Sequence, residues 1–308
     1  MHLLKLTKII SFIEDRTSEN PFTLTYGIGR TLLAISTLSI FFFNDVDYLF
    51  DKNGLEILSS SEILISKLNL FGIFGYENLL LGKILSIIIL SSVISGYYPK
   101  VTGILHFWLM YSFHNSCIIL DGGDQIATIF SFMIIPITLL DKRKNHWHNL
   151  KNQSKYSKLL GHLIFKLIAL QVSFIYLNTA IEKLYNLNEW KNGTAMYYII
   201  KSEFFGASDF FLPIFNLIIN SKAVFFLTWW VIVSHLFLSY LLFLSRIKKA
   251  NYIILGLFFH GGIAVFMGLY SFSITMFGVL VLYLLPFNLK EWNLTKYFMR
   301  KSNFSIGQ

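Results

Sequence analysis

The sequence predicts an all-α protein: a polytopic bundle of about eight transmembrane helices, with interfacial or re-entrant helices on its outer side. Hydrophobic residues make up 55% of the 308-residue chain and charged residues only 14%, which is too apolar for a soluble domain of this length. Continuous apolar runs of about 17–25 residues, long enough to cross a bilayer, recur along the chain. A transmembrane β-barrel would instead show short segments of alternating polarity.

Hydropathy gives the order of the elements and the domain organisation. We expect a cytoplasmic interfacial segment at 1–21 without a cleaved signal peptide, a membrane domain at 22–287 and a basic cytoplasmic tail at 288–308. Gly206 and Pro213 interrupt segment 194–219, which is expected to form short helices at the outer surface. The predicted spans are 22–43, 78–97, 101–119, 124–140, 159–184, 223–243, 250–269 and 272–287.

The distribution of basic residues predicts the orientation. With the N-terminus inside, lysine and arginine concentrate in inner segments such as 141–158 and 288–308, and few fall in the outer segments 44–77 and 185–222. The positive-inside rule therefore predicts a multi-pass protein of the cell membrane, embedded in the lipid bilayer, with both termini cytoplasmic. The net charge of +9 is explained by these loops, and no nucleic-acid partner is expected. A single cysteine, Cys117, excludes an intrachain disulfide and a cysteine-rich zinc site.

The most informative polar residue is Lys183, near the outer end of the fifth span. A cation at the rim of the hydrocarbon is costly and rare, and removal from water favours the neutral amine, which can act as a base. Tyr176 and Lys183 share one helix face, and Asn178 and Glu182 share the adjacent one. We expect this polar half of the helix to face the bundle or a cavity. Lys183 is either a catalytic base or a structural cation that snorkels or pairs with a carboxylate such as Glu182.

A second group of polar residues lies at the outer ends of spans three and four. His114 and Asn115 come near the end of span three, and Asp121 and Asp124 flank a glycine pair that allows a tight turn. Asp124 can cap span four, and either aspartate can instead hold the Lys183 ammonium or orient His114. No spacing of ligands is diagnostic of a metal site, and none is expected.

Three further spans carry buried polar residues. His235 in span six and His260 in span seven lie in apolar sequence, where a histidine usually bonds a neighbouring helix. Arg30 lies near mid-depth in span one, and we expect it to have a carboxylate or carbonyl partner.

Four features, in this order along the chain, resemble the HTTM domain, the membrane domain shared with vitamin K-dependent γ-glutamyl carboxylase. They are Asp121-Gly-Gly-Asp124, Lys183-Leu184 followed by Trp190 and Gly193, His260, and Gly268-Leu-Tyr-Ser-Phe-Ser273. The similarity covers about residues 15–290, and the chain is most similar to the sporulation-delaying protein B (SdpB) branch of this family.

The resemblance implies roles for particular residues. In the carboxylases, a lysine before a leucine is the base linked to quinol oxygenation, and a histidine after the third aromatic span supports it. The corresponding catalytic residues here are Lys183 and His114. A quinone or quinol cofactor agrees with this resemblance, although the residues do not demand one. The supporting residues are Asn115, Asp121, Asp124, Glu182, Trp190 and His260.

Two departures from the carboxylases change the expected function. Glu182 stands where a carboxylase has a second lysine, and the chain ends at residue 308 without the lumenal domain that binds a propeptide. Glutamate carboxylation is therefore not expected. SdpB-like proteins are implicated, with a small partner protein (SdpA), in maturing a secreted peptide toxin, and the same function is implied here. Whether the chain is an enzyme stays open, because a non-catalytic membrane binding or immunity protein for a peptide is the alternative.

Overall fold

The structure of the chain, a computed structural model, describes residues 19–148 and 153–289. These residues are mostly helical, and their extended pairings are limited to two isolated β-bridges. The predicted all-α class is confirmed. Most of the predicted N-terminal interfacial segment and basic tail lie outside the described residues.

Helices occupy all eight predicted spans, with ends shifted by a few residues. The fourth is broken at Ile134, one residue before a short helix that carries Pro136 in its first turn. The eight are α1 (Leu24–Phe43), α2 (Leu79–Ser95), α3 (Pro99–Ser116), α4 (Gly122–Met133 and Ile135–Leu140), α5 (Lys155–Asn186), α6 (Ala223–Tyr240), α7 (Ile253–Met267) and α8 (Tyr270–Leu284).

Six helical stretches in the described part of the chain are long and apolar enough to cross a membrane. α3 is more polar than these, and α8 has 15 residues, a length of about 22 Å against a hydrocarbon core of about 30 Å. The helical bundle is thus supported, while eight full crossings remain a prediction. The six stretches are Leu24–Phe43, Tyr76–Ser95, Gly122–Leu140, Lys155–Asn186, Ala223–Phe243 and Arg246–Met267.

One end of the bundle, which we call the loop end, carries the longer connections. It comprises segments 44–78, 117–121, 187–222 and 268–269. Ile118 N donates to the carbonyl of Leu49, and Ser208 N donates to that of Phe266, each at 2.9 Å. The described short helices at this end are Val46–Leu49, Lys52–Ser60, Leu64–Lys67, Leu70–Phe74, Tyr76–Asn78, Asn188–Lys191, Ala195–Ile200 and Leu212–Ile219.

Segment 194–219 forms two short helices with a break between them, as its glycine and proline predicted. No single helix in this segment is long enough to cross the bilayer. The expectation of short helices instead of a span is therefore confirmed, and the side of the membrane that they face stays a prediction.

The opposite end, which we call the basic end, comprises segments 96–98, 141–148, 244–252 and 285–289. His146 N donates to the carbonyl of Gly96 at 2.9 Å. Arg246 Nε donates to the carbonyl of Leu285 at 2.5 Å, which joins two further segments of this end. Backbone and side-chain hydrogen bonds thus replace water for the loops that connect the helices.

The core is organised around the crossing of α1 and α8. A Cβ atom added to Gly29 would lie 2.5 Å from Leu282 Cδ2, and one added to Gly278 would lie 3.0 Å from the carbonyl oxygen of Gly29. Small residues let two helix backbones approach closely, which strengthens van der Waals packing in a solvent as apolar as the side chains. Buried hydrophobic residues from α1, α4, α5 and α8 form the main core around this crossing.

A buried ion pair closes the basic end. Arg143 Nη2 lies 2.7 Å from Asp141 Oδ2, and Arg143 Nε donates to both oxygens of the same carboxylate. Arg143 Nη1 donates to the carbonyls of His146 and His148 at 2.6 and 3.0 Å. This pairing satisfies the carboxylate and holds loop 141–148 against the helices.

Among the described residues, Arg30 has no carboxylate or carbonyl partner of the kind that the sequence suggested. Its Nη2 donates to Thr102 Oγ1 at 2.6 Å, and its Nη1 lies 3.1 Å from His146 Nδ1. Because a guanidinium only donates, His146 Nδ1 is the acceptor and the ring proton is on Nε2. Nε2 faces Thr31 Oγ1 at 3.4 Å. The expectation was wrong because these partners come from α3 and loop 141–148, which are far from Arg30 in the sequence.

We expect Gly29→Ala to lower the free energy of unfolding by about 1–3 kcal/mol, because the new methyl group would collide with Leu282. Gly261→Ala in α7 is the matched control, since the nearest atom to its added Cβ is Phe277 Cζ at 4.0 Å. Thermal unfolding of the purified variants in detergent measures the difference. Equal midpoints for the two variants would contradict close packing of α1 on α8.

We also expect His146 to make the protein less stable in acid. Burial and then the Arg30 charge lower the pKa of His146 from 6.5 to about 3. Below pH 6.5, His146 therefore binds a proton in the unfolded chain but not in the folded chain. The free energy of unfolding is highest above pH 6.5 and falls as the pH drops towards 3. The loss between pH 6.5 and 5 is at most about 2 kcal/mol.

His146→Gln tests this assignment, because glutamine keeps an acceptor for Arg30 and does not titrate. The variant should lose less stability than the parent chain between pH 7 and 5 when thermal midpoints are compared in detergent. Parallel pH profiles for the two proteins would show that His146 is not the group responsible.

Candidate functional site

Lys183 lies in the last turns of α5 and rests on an aromatic ring. Its Nζ is 4.9 Å from the ring centroid of Trp190, which is buried in the short helix Asn188–Lys191. The chain is extended at Leu187, and Trp190 then folds back beneath the end of α5. Within the described residues, no carboxylate lies at ion-pair distance from Lys183. The predicted site residues Lys183 and Trp190 are thus together, held by a cation–π contact.

Deeper in the bundle, two histidines and a tyrosine follow Lys183. Tyr176 precedes Lys183 by two turns of α5 and is buried. Its Oη lies 2.9 Å from His260 Nε2 on α7, and its ring centroid is 5.6 Å from that of His235 on α6. Lys183 is close enough to His235 for an electrostatic interaction. Lys183, Trp190, Tyr176, His235 and His260 form what we call the Lys183 cluster.

The Lys183 cluster contains a hydrogen-bonding atom that the described residues leave free. The Nδ1 atom of His260 is buried and has no hydrogen-bond partner among the described residues, whereas the His235 ring lies near the carbonyl of Val231, one turn earlier on α6. A buried polar atom without a partner costs roughly 1–3 kcal/mol. Such atoms are retained where a substrate, water or proton completes the hydrogen bonding.

The polar half of α5 faces two ways. Tyr176 and Lys183 point into the bundle, as predicted. Asn178 and Glu182 are exposed, and Asn178 Nδ2 donates to Glu182 Oε1 at 3.1 Å on the outer surface of the helix. The expectation that both faces point inward was therefore wrong for Asn178 and Glu182, because α5 packs through one face only.

The aspartates of the glycine turn cap α4. Asp121 Oδ1 accepts from the backbone nitrogens of Gly123 and Asp124 at 2.7 and 3.1 Å, and Asp124 Oδ2 accepts from Asp121 N at 3.1 Å. This is a reciprocal capping box in which Asp121, rather than the predicted Asp124, is the N-cap residue. No hydrogen bond or ion pair among the described residues joins either carboxylate to Lys183 or His114.

His114 and Asn115 lie at the end of α3, which packs mainly against α2 and α4. Asn115 is exposed and donates from Nδ2 to the carbonyl of Tyr111 at 2.7 Å. His114 is partly buried, and its Nδ1 has no partner among the described residues. Among the described residues, no hydrogen bond, ion pair or ring contact connects His114 to Lys183, so the structure does not bring the two predicted catalytic residues together.

The start of α8 stands between the glycine turn and the Lys183 cluster. The Phe272 ring centroid lies 5.6 Å from that of His260, and a Cβ on Gly123 would lie 2.7 Å from Phe272 Cα. Ser271 Oγ lies 3.5 Å from Asp121 Oδ2. The predicted site thus divides into the Lys183 cluster and a separate capped turn, which share α8 as a wall.

Sequence reasoning missed His235 as a member of this site. The spacing of Tyr176 and Lys183 on one helix face was the available signal, because it marks the stripe of α5 that faces its neighbours. Nothing in the sequence shows which residues of α6 and α7 meet that stripe. Among the described residues, no group of three or more histidine, cysteine, aspartate or glutamate side chains is placed to hold a metal ion.

Comparison with known proteins identifies relatives along nearly the whole chain. The sporulation-delaying protein SdpB of Bacillus subtilis (strain 168) is 37% identical over 283 residues, which cover 91% of this chain and 87% of that protein. The uncharacterized protein YitO of the same strain is 33% identical over 270 residues, 87% of each chain. No family model matches the chain, and no solved structure matches it. The chain belongs to the family of the sporulation-delaying protein SdpB.

Proposed function

We propose that this chain is a membrane protein of a sporulation-delaying toxin pathway that helps to mature an exported peptide toxin at the Lys183 cluster. The relative named SdpB supports the pathway. The observation that carries the site is the Lys183 amino group. Its Nζ lies over the Trp190 ring with no carboxylate at ion-pair distance among the described residues, two turns from the Tyr176–His260 hydrogen bond.

In this proposal Lys183 acts as a base. A neutral lysine amine can take a proton from a substrate group, whereas an ammonium locked to a carboxylate cannot. Lys183 Nζ would accept the proton, and the resulting ammonium would rest on the Trp190 ring. Tyr176 orients His260 through the 2.9 Å hydrogen bond and is a positioning residue. The carboxylase-like HTTM resemblance supports the base role of Lys183.

The same resemblance implies a quinone or quinol, and the residues present are compatible with one. Trp190 of the Lys183 cluster and the neighbouring Phe259 supply aromatic rings, and His260 Nδ1 is buried without a partner among the described residues. These three residues would hold the ring. When bound, such a group would supply two-electron redox chemistry, and the base role of Lys183 does not depend on it.

We further propose that the loop end faces away from the cytoplasm and meets the peptide and a small SdpA-like partner. Basic residues gather at the opposite end, which the positive-inside rule places in the cytoplasm. At the loop end, Phe204 and Phe210 are 86% and 81% exposed. Large exposed apolar side chains beside a polar site suit a peptide substrate that arrives along the membrane surface.

Lys183→Ala should abolish maturation of the exported peptide without loss of the protein from the membrane, because no other group can replace the amine. Lys191→Ala is the matched control, since Lys191 is an exposed lysine eight residues later. The assay is mass spectrometry of the peptide exported by cells that produce the chain with its neighbouring genes, at equal membrane protein level. Normal peptide from Lys183→Ala would refute the base role.

Tyr176→Phe should slow maturation roughly tenfold or more, because it removes only the hydroxyl that orients His260. Tyr185→Phe on the same helix is the control, since Tyr185 is 75% exposed. A time course of peptide maturation distinguishes a rate effect from loss of protein. The pH dependence of the rate should also change in Tyr176→Phe, which a purely structural tyrosine would not cause.

The alternative is a non-catalytic membrane binding or immunity protein, and the exposed aromatic residues of the loop end favour it. In that case Lys183→Ala would still protect cells from the peptide. A Phe204→Ser, Phe210→Ser double variant would lose protection and peptide binding. Growth of cells that produce each variant, challenged with the purified peptide, separates the two functions.

A further inference from the structure

Within the described residues, the Arg30 side chain is a buried cation that pairs with no carboxylate. It is 0% exposed, and its two terminal nitrogens contact Thr102 and His146, which are both neutral. The nearby Asp141 carboxylate is fully engaged by Arg143. The Asp141–Arg143 pair is neutral as a unit, so one positive charge remains inside the bundle. Arginine does not give up this charge by losing its proton.

Several polar atoms around Arg30 have no partner. They are Arg30 Nε, Tyr26 Oη and both ring nitrogens of His106, and they are orphaned among the described residues. Tyr26 is 0% and His106 is 1% exposed, so bulk water cannot satisfy them. We call Tyr26, Arg30 and His106 the Arg30 cluster.

Helix geometry places Tyr26 and His106 on the helix faces that meet at Arg30. Tyr26 precedes Arg30 by one turn on α1, and His106 follows Thr102, which binds Arg30, by one turn on α3. Both Tyr26 and His106 are close enough to Arg30 to interact with it electrostatically. Nε–H of Arg30, O–H of Tyr26 and one N–H of His106 are therefore three free donors beside an unbalanced positive charge.

We propose that the Arg30 cluster binds a small monovalent anion of halide size inside the bundle. Ordered water could satisfy the free donors, but it would leave the buried charge uncompensated, and that charge is the larger cost. The enclosure of all three side chains favours a compact anion over a phosphate or a lipid headgroup, which would have to bring more polar surface out of water. The anion would stabilise the basic end and is independent of the function of Lys183.

Thermal unfolding of the purified full-length chain in detergent tests this site. Sodium gluconate is replaced stepwise by sodium chloride or bromide at constant sodium concentration, and tryptophan fluorescence reports unfolding. We expect the midpoint to rise and saturate, with a total shift on the order of 3 °C. An identical midpoint in gluconate and in both halides would show that water alone fills the site and would overturn the proposal.

Three variants assign the effect to these residues. Arg30→Met should lose the halide-dependent shift, and Tyr26→Phe should raise the half-saturating halide concentration roughly tenfold. Tyr26→Phe removes only one hydroxyl, so it still tests the anion site if Arg30→Met does not fold. Arg246→Met is the control, because the Arg246 guanidinium already donates to the carbonyls of Leu285 and Leu282.

Arg246→Met should unfold at a lower temperature but keep the same halide-dependent shift. If Arg246→Met loses the shift as completely as Arg30→Met, the effect is a general response to salt and the proposal fails. An unchanged half-saturating concentration in Tyr26→Phe would also overturn it.

Discussion

The close approach of α1 and α8 at Gly29 and Gly278 is the contact on which the rest of the bundle depends. In lipid, apolar side chains gain nothing by leaving one hydrocarbon for another, so helices associate through shape and hydrogen bonding. With the backbones this close, Leu282 fills the space over Gly29, and α1 can pack on α2 at the same time. The second core, built on α1, α2, α3 and the short helices of the loop end, is joined to the first through α1.

Four basic side chains in the described part of the chain, Arg143, Arg246, Arg30 and Lys183, are stabilised in four different ways. Arg143 pairs with a carboxylate, and Arg246 donates to backbone carbonyls between the rings of Phe165 and Phe287. Arg30 meets neutral partners, and Lys183 meets an aromatic face. Among their contacts in the described residues, Arg30 and Lys183 have neither a carboxylate partner nor a carbonyl acceptor. A bound ligand or a proton transfer can therefore change the electrostatics at these two positions.

The Lys183 cluster draws its members from three helices and one short loop helix. α5 carries Lys183 and Tyr176, α6 carries His235, α7 carries His260, and the fold-back after α5 supplies Trp190. A site shared between helices in this way is sensitive to their relative rotation. The capped turn at Asp121 lies outside this cluster, fixes the start of α4 and meets α8 at Ser271.

Local sequence rules were enough to predict the helices and turns of the fold, whereas the partners of the polar residues could be identified only from the tertiary structure. Apolar runs predicted the eight helices, two glycines between aspartates predicted a tight capped turn, and Gly206 with Pro213 predicted broken helices at 194–219. These features depend on neighbours a few residues away. Tyr176 and His260 are 84 residues apart, and Arg30 and His146 are 116 apart. Helical periodicity shows which residues of one helix share a face, but packing sets the rotation of one helix against another. For this reason the sequence could not show that Glu182 faces outward or that His235 contacts Tyr176.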